Sequence, residues 1–246
     1  MTVFKSTATI LFICTIGYIL MLNDALSSEI CSDNMSPKEM NLLDTLLSQI
    51  QEADIRLHPN KFYQAVVTLN NQPFRMHLFF KDQFHHESNT MTVHDHIFDL
   101  DSFVLSGAIL NHEFDWIQDE SGEYQLLHAS IGSPNKADSQ LNSTSTFGRL
   151  CKLRSKKTTS GKFYSMKQGI LHDLTIKSDM ALTLIRGPYF DRRLLPRVVA
   201  LRSEATSGSF DRTLLNQEKI RAQFQNLLKN IPKSTWSKLS LWVDSD

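Results

Sequence analysis

His94-Asp95-His96 is the first stretch of the chain whose residue types could do chemistry. In a β-strand, residues two apart project from one face, about 7 Å apart along the chain, so two such imidazoles can close on one metal ion. The pair alone is a weak sign, because a chain with nine histidines produces some by chance. His85-His86-Glu87 sits in a turn-rich stretch and needs no metal. There is no G-x-S-x-G elbow, no Walker loop and no dinucleotide fingerprint, so serine-hydrolase, nucleotide-binding and Rossmann chemistry have nothing to stand on.

The elements that must position these groups read as mainly β. From Phe62 to about Arg186 short β-like runs follow one another: Phe62–Leu69, Phe74–Phe80, Met91–Phe98, Phe103–Trp116, Glu123–His128, Phe147–Leu153 and Ala181–Arg186. Turn-rich stretches separate them, and the polar insert Gly132–Ser145 reads as a mobile loop; many short strands with turns between them predict a sandwich or barrel. Helices flank this region. Ser36-Pro37-Lys38-Glu39 carries the signs of a helix start, with Ser as N-cap, Pro at the first position and Glu closing a capping box, and the apolar spacing predicts a helix over 37–53. Leu214 to Ile231 reads as a second helix, stopped by Pro232.

Two stretches carry a family resemblance. His94 to Gly107, an H-x-H followed by a strand and a glycine turn, resembles the first motif of the cupins. Gly161, Gly169 and His172 stand where the second cupin motif has two glycines and a histidine. The resemblance covers about residues 62–190 and implies a cupin double-stranded β-helix, or jelly-roll barrel, with an N-terminal and a C-terminal α-helix. It is nearest a subgroup marked by H-D-H-x-x-D ahead of S-x-x-L-S-G, and it carries His94, His96 and His172 over as metal ligands.

The chain departs from the motifs at several places. Ser88 replaces an opening Gly, Lys167 a Pro and Ile176 a closing Asn, while Leu100 takes the place of the family's Glu ligand. The resemblance then implies a site of three neutral imidazoles, the ligand set of the cupin thiol dioxygenases, with iron(II) favoured and zinc or manganese as alternatives. Three neutral ligands leave the 2+ charge of the metal uncompensated and favour a small anionic substrate. The function implied is a metal-dependent, oxygenase-type enzyme; the alternative is a cupin binding module without metal. Asp99 could orient a ligand histidine or serve a turn. His112, after the Gly107 turn, could line the mouth as an acid or base or be an ordinary surface histidine. Tyr164 could set its hydroxyl near a bound ligand or simply be core, and Arg186 could hold a substrate carboxylate or form a rim ion pair.

Composition bounds the partners. Lys plus Arg and Asp plus Glu number 26 each, so no global field favours nucleic acid or an acidic membrane. The basic run Lys152–Lys157 reads as a solvated strand end or loop. Thr7 to Leu22 is uncharged and apolar at its centre, short for a membrane span, with Ala25-Leu26-Ser27 offering small residues for cleavage. An export signal or an uncleaved membrane anchor is expected over 1–28, and a cytoplasmic protein if the true start is Met21 or Met35. The remaining organisation expected is a helical segment at 29–60, the barrel at 61–200 and a helical extension at 201–246. Cys31 and Cys151 could pair after export or remain thiols, and a homodimer through a sheet edge stays open.

Overall fold

A computed structural model describes residues 35–82, 93–131, 138–186, 195–211 and 217–245. The N-terminal apolar run, Cys31 and the His85-His86-Glu87 stretch lie outside them. The described residues form two antiparallel sheets and three helices. One sheet has six strands in the order β1 (Arg56–Leu57), β2 (Tyr63–Leu69), β3 (Gln72–Phe80), β11 (Met180–Arg186), β5 (Leu100–Ser106), β9 (Lys162–Met166). The other has seven: β13 (Gly208–Asp211), β8 (Asp138–Thr159), β6 (Ala108–Gln118), β10 (Leu171–Ile176), β4 (Val93–His94), β12 (Arg197–Leu201), β7 (Tyr124–Ile131). Strands distant in sequence pair, as a jelly roll requires, and the mainly β fold with helices at both ends is the one the motifs imply.

Strand alternation writes two cores at once, because successive side chains point to opposite faces. Ala65, Val67 and Leu69 of β2, Phe74, Met76 and Leu78 of β3, and Leu182 and Leu184 of β11 face outward against the helices. Phe79, Leu100, Val104, Ala181 and Ile185 face inward, where Ile109 and Ile176 of the other sheet meet them.

The helix α1 (Pro37–Glu52) starts where its capping box lies. Ser36 Oγ accepts from the Glu39 backbone N–H at 3.3 Å, and the Glu39 carboxylate accepts from the Ser36 N–H at 2.7 Å. Its buried Leu46 and Ile50 meet Ile220, Phe224 and Leu228 of α2 (Gln217–Lys229) and Trp236 and Leu239 of α3 (Lys233–Asp244). Pro232 therefore does more than stop α2. It is the N-cap of α3, a second helix within the helical extension expected over 201–246.

Four other expectations are corrected. The run 103–116 is two strands, broken at Gly107, whose φ of 79° and close approach to the Met180 carbonyl leave no room for a Cβ. The supposed loop 132–145 is strand from Asp138 onward, paired with β7, because a strand with one partly solvated face tolerates Ser, Thr and Asn. The strand expected over 91–98 is described only at Val93–His94, after which the chain leaves the ladder to bring Asp95 to Arg197. Residues 208–211, expected within a helical extension, add an edge strand to β8.

Candidate metal centre

Register alone brings two of the three histidines together. His94 on β4 and His172 on β10 are direct cross-strand partners, and the row continues to Val198 on β12 and Glu113 on β6. Side chains directly opposite in an antiparallel pair share a face, so both imidazoles project to the barrel interior. His96 follows beyond the end of β4, where its carbonyl accepts the Gly169 backbone N–H at 2.9 Å. Ring centroids lie 4.5 Å apart for His94 and His172, 4.9 Å for His96 and His172, and 5.1 Å for His94 and His96. One nitrogen from each ring falls within 4.8 Å of the others.

Their immediate partners suit metal binding. His172 Nδ1 lies 3.2 Å from the Ile170 carbonyl, which accepts an Nδ1–H and leaves the Nε2 lone pair free. The Asn60 side-chain amide nitrogen is 3.4 Å from His94 Nδ1. Burial pushes His172 down to about 3, and the neighbouring His94 lowers it further than the Ile170 carbonyl restores. His96 is also held well below the ordinary imidazole range, first by burial, then by His172, His94 and Arg75. Both rings are neutral at physiological pH, the state a metal ligand must have. The donor set therefore fits a divalent cation that accepts imidazole nitrogen.

Asp95, between two of the histidines, points away from them into an ion pair. Its carboxylate accepts the Arg197 backbone N–H at 2.6 Å and the Arg197 Nε–H at 2.5 Å. The same guanidinium donates from Nη2 to the Gly169 carbonyl at 2.6 Å. Arg197 and Gly169 thus fasten the His94–His96 segment to the loop that leads into His172.

Asp99, His112, Tyr164 and Arg186 each carried two readings, one beside the centre and one structural. Asp99 is exposed and touches no ligand histidine; it accepts from Lys167 at 2.6 Å and from the Gln168 backbone N–H at 2.9 Å, steadying that same loop. His112 pairs with Asp173, one residue off the His172 row, and so faces away from the interior, where its Nδ1 meets Ser155 Oγ at 2.7 Å. Tyr164 is inside the barrel, between Ser102 and Asn111, with burial raising its phenol. Arg186 does not reach the cluster: its guanidinium lies over Trp242 and donates to the Ser245 carbonyl at 2.7 Å, holding the end of α3.

Arg75 and His77 were not singled out from the sequence. Both belong to β3 on the face that also carries Phe79, so they point inward. The Arg75 guanidinium carbon is 5.2 Å from the centre of the Phe98 ring, which is itself 5.1 Å from the His96 ring. The R-x-H alternation inside an apolar strand was the available signal.

Fold and site together define a mainly β, two-sheet protein with a convergent three-histidine cluster. No family model matches the chain, and no curated protein sequence does. Among solved structures it is similar to oxalate decarboxylases. The Lactobacillus farciminis enzyme in complex with formate is 12% identical over 75% of this chain and 43% of that one, with a TM-score of 0.32. A tryptophan-to-tyrosine variant of the Bacillus subtilis enzyme is 10% identical over 56% of this chain and 28% of that one, with a TM-score of 0.29. The chain spans less than half the length of these proteins, and its own cluster geometry carries the functional reading.

Proposed function

We propose that the protein is a metal-dependent enzyme in which His94, His96 and His172 hold one divalent metal, iron(II) by preference, for oxygenase chemistry on a small anionic substrate. The observation behind it is the convergence of three imidazoles, His94 and His96 from one stretch of the chain and His172 from another. Three protein ligands leave coordination positions for substrate, as in catalytic sites, whereas structural sites are closed by four. When bound, such a metal supplies Lewis acidity and, for iron, access to oxygen chemistry.

The chain's own residues set what can bind. The ligands bring no negative charge, and Asp95 is committed to Arg197. Arg75 adds a cation beside His96, so an anion completes the centre most favourably. Phe62, Phe79 and Phe98 line the interior next to it and exclude water. Arg75 then meets the anionic end of the substrate, one of the two readings the sequence left for Arg186. The N-terminal apolar run bears on the metal: delivery to an oxidising compartment favours zinc or manganese over iron(II).

Oxygen uptake by the iron(II)-loaded full chain, offered small thiols, keto acids and dicarboxylates, tests the reading. It expects substrate-dependent uptake that His172→Ala abolishes. Iron held in full with no uptake on any anion would rule out the oxygenase, and a chain that folds but takes up no metal leaves the binding module.

A further inference from the structure

Between Ser139 and His172 the sequence carries seven Lys or Arg and no Asp or Glu, although the whole chain is charge-balanced. The fold lays the middle of this run along an open edge. From Gly148 to Thr159, β8 pairs with β6 on one side, while its pairing with β7 stops at Gly148 and that with β13 at Leu141. Along 149–157 its other side faces no strand among the described residues, and every residue there except Leu150 is exposed. Arg149 is paired with Asp119 at 2.9 Å and Arg154 with Glu113 at 2.8 Å. Lys152, Lys156 and Lys157 form no ion pair among the described residues. Leu153, at the register shift opposite Glu113 and Phe114, stands 57% exposed in their midst.

An open edge offers a row of backbone N–H and C=O groups to any extended chain. One or two lysines suffice to discourage self-association. An acid-free run of this length does that and also selects, because a second copy would meet like charge while an acidic strand would meet its complement. Nucleic acids and lipid headgroups have the charge but not the peptide backbone that an open ladder recognises.

We propose that the 149–157 edge of β8 docks an extended acidic segment of a partner protein, which adds as a further strand. Carboxylates on one of its faces meet Lys152 and Lys157, which lie opposite Phe114 and Leu110, one on its other face meets Lys156, and an apolar residue covers Leu153. Main-chain hydrogen bonds supply much of the affinity and the alternating side chains the specificity.

Fluorescence anisotropy with the full chain and a short labelled peptide alternating glutamate and valine tests this. The expected result is binding that weakens with salt and falls by about tenfold or more when Lys152, Lys156 and Lys157 are all changed to Glu, given the modest worth of each exposed pair. A milder triple change to Gln gives a smaller loss, and circular dichroism checks the fold of both variants. Methylating alternate peptide nitrogens on the wild-type chain's ligand abolishes binding if a strand is being added. Equal binding of the methylated peptide, no binding of the acidic peptide, or tighter binding of a DNA duplex or phosphatidylserine vesicles at the same lysines would each overturn the proposal.

Discussion

On the outer face of the six-stranded sheet, Phe74, Met76, Leu78 and Leu184 are sealed beneath the three helices in a continuous apolar layer. On the inner face of the same strands stand Arg75, His77 and Thr183, with Ser102 of β5 beside them. Among the described residues, His77 Nε2 and Thr183 Oγ1 are buried there without a hydrogen-bond partner. Each such group costs about 1–3 kcal/mol. A single set of strands therefore carries a stabilising face and a costly one, separated only by residue parity. The difference teaches where selection for stability and selection for chemistry are met: the helices pack against one face so that the other can hold polar groups around three imidazoles.

The sharpest way to break this comparison is on the outer face. Trp236→Ala or Phe224→Ala removes a fully buried aromatic ring and should cost about 3–5 kcal/mol in urea unfolding, while the folded fraction still binds metal normally. A loss of metal binding at full folding would mean that the two faces are not separable.

Asp95→Asn strikes the link between the ligand segments. It leaves Arg197, one-third exposed, without its carboxylate and should destabilise by roughly 2 kcal/mol. Metal affinity should drop about 10- to 100-fold, the usual cost of disturbing groups that orient ligands. Isothermal titration with zinc measures it; unchanged affinity would show that Asp95 does not position the histidines.

Acid acts on the inner face through His172. His172 is held at about 3, against roughly 6.5 in an unfolded chain. Between those values the unfolded chain binds a proton that the folded one does not, so stability is intact above pH 6.5 and declines as pH falls through the window. The slope is at most about 1.4 kcal/mol per pH unit for one such group. Urea midpoints at pH 7 and pH 5 check it, and a higher midpoint at pH 5 would contradict the burial of these rings.

The smallest effect has the opposite sign. Thr183→Val replaces an unpartnered buried hydroxyl by a methyl of the same shape and should stabilise by about 1 kcal/mol. Destabilisation in thermal melts would mean that the hydroxyl is satisfied after all.

Much of this was legible in the sequence where the determinants are local. Ser36-Pro37-Lys38-Glu39 is a self-contained capping box, and Gly107 marks a turn that only glycine can make. The three histidines stood out by their motif context. The Asp95–Arg197 pair did not, because its members are 102 positions apart and no local pattern couples them. Arg75 and His77 alternate with apolar residues in β3, and only the fold shows that they face the interior. Helix α3 was not told apart within the expected helical extension because Pro232 reads only as a stop, although Trp236, Leu239, Trp242 and Val243 recur on one face. The first part of β8 was taken for a loop because its Ser, Asn and Thr residues resemble one.

Metal content by mass spectrometry, beside far-ultraviolet circular dichroism, tests the central claim most directly. One divalent metal per wild-type chain is expected, with none in His94→Ala, His96→Ala or His172→Ala and an unchanged β-sheet spectrum in all four. Full metal occupancy in the His172→Ala variant, or an empty and well-folded wild type after loading with iron(II), zinc and manganese, would contradict it.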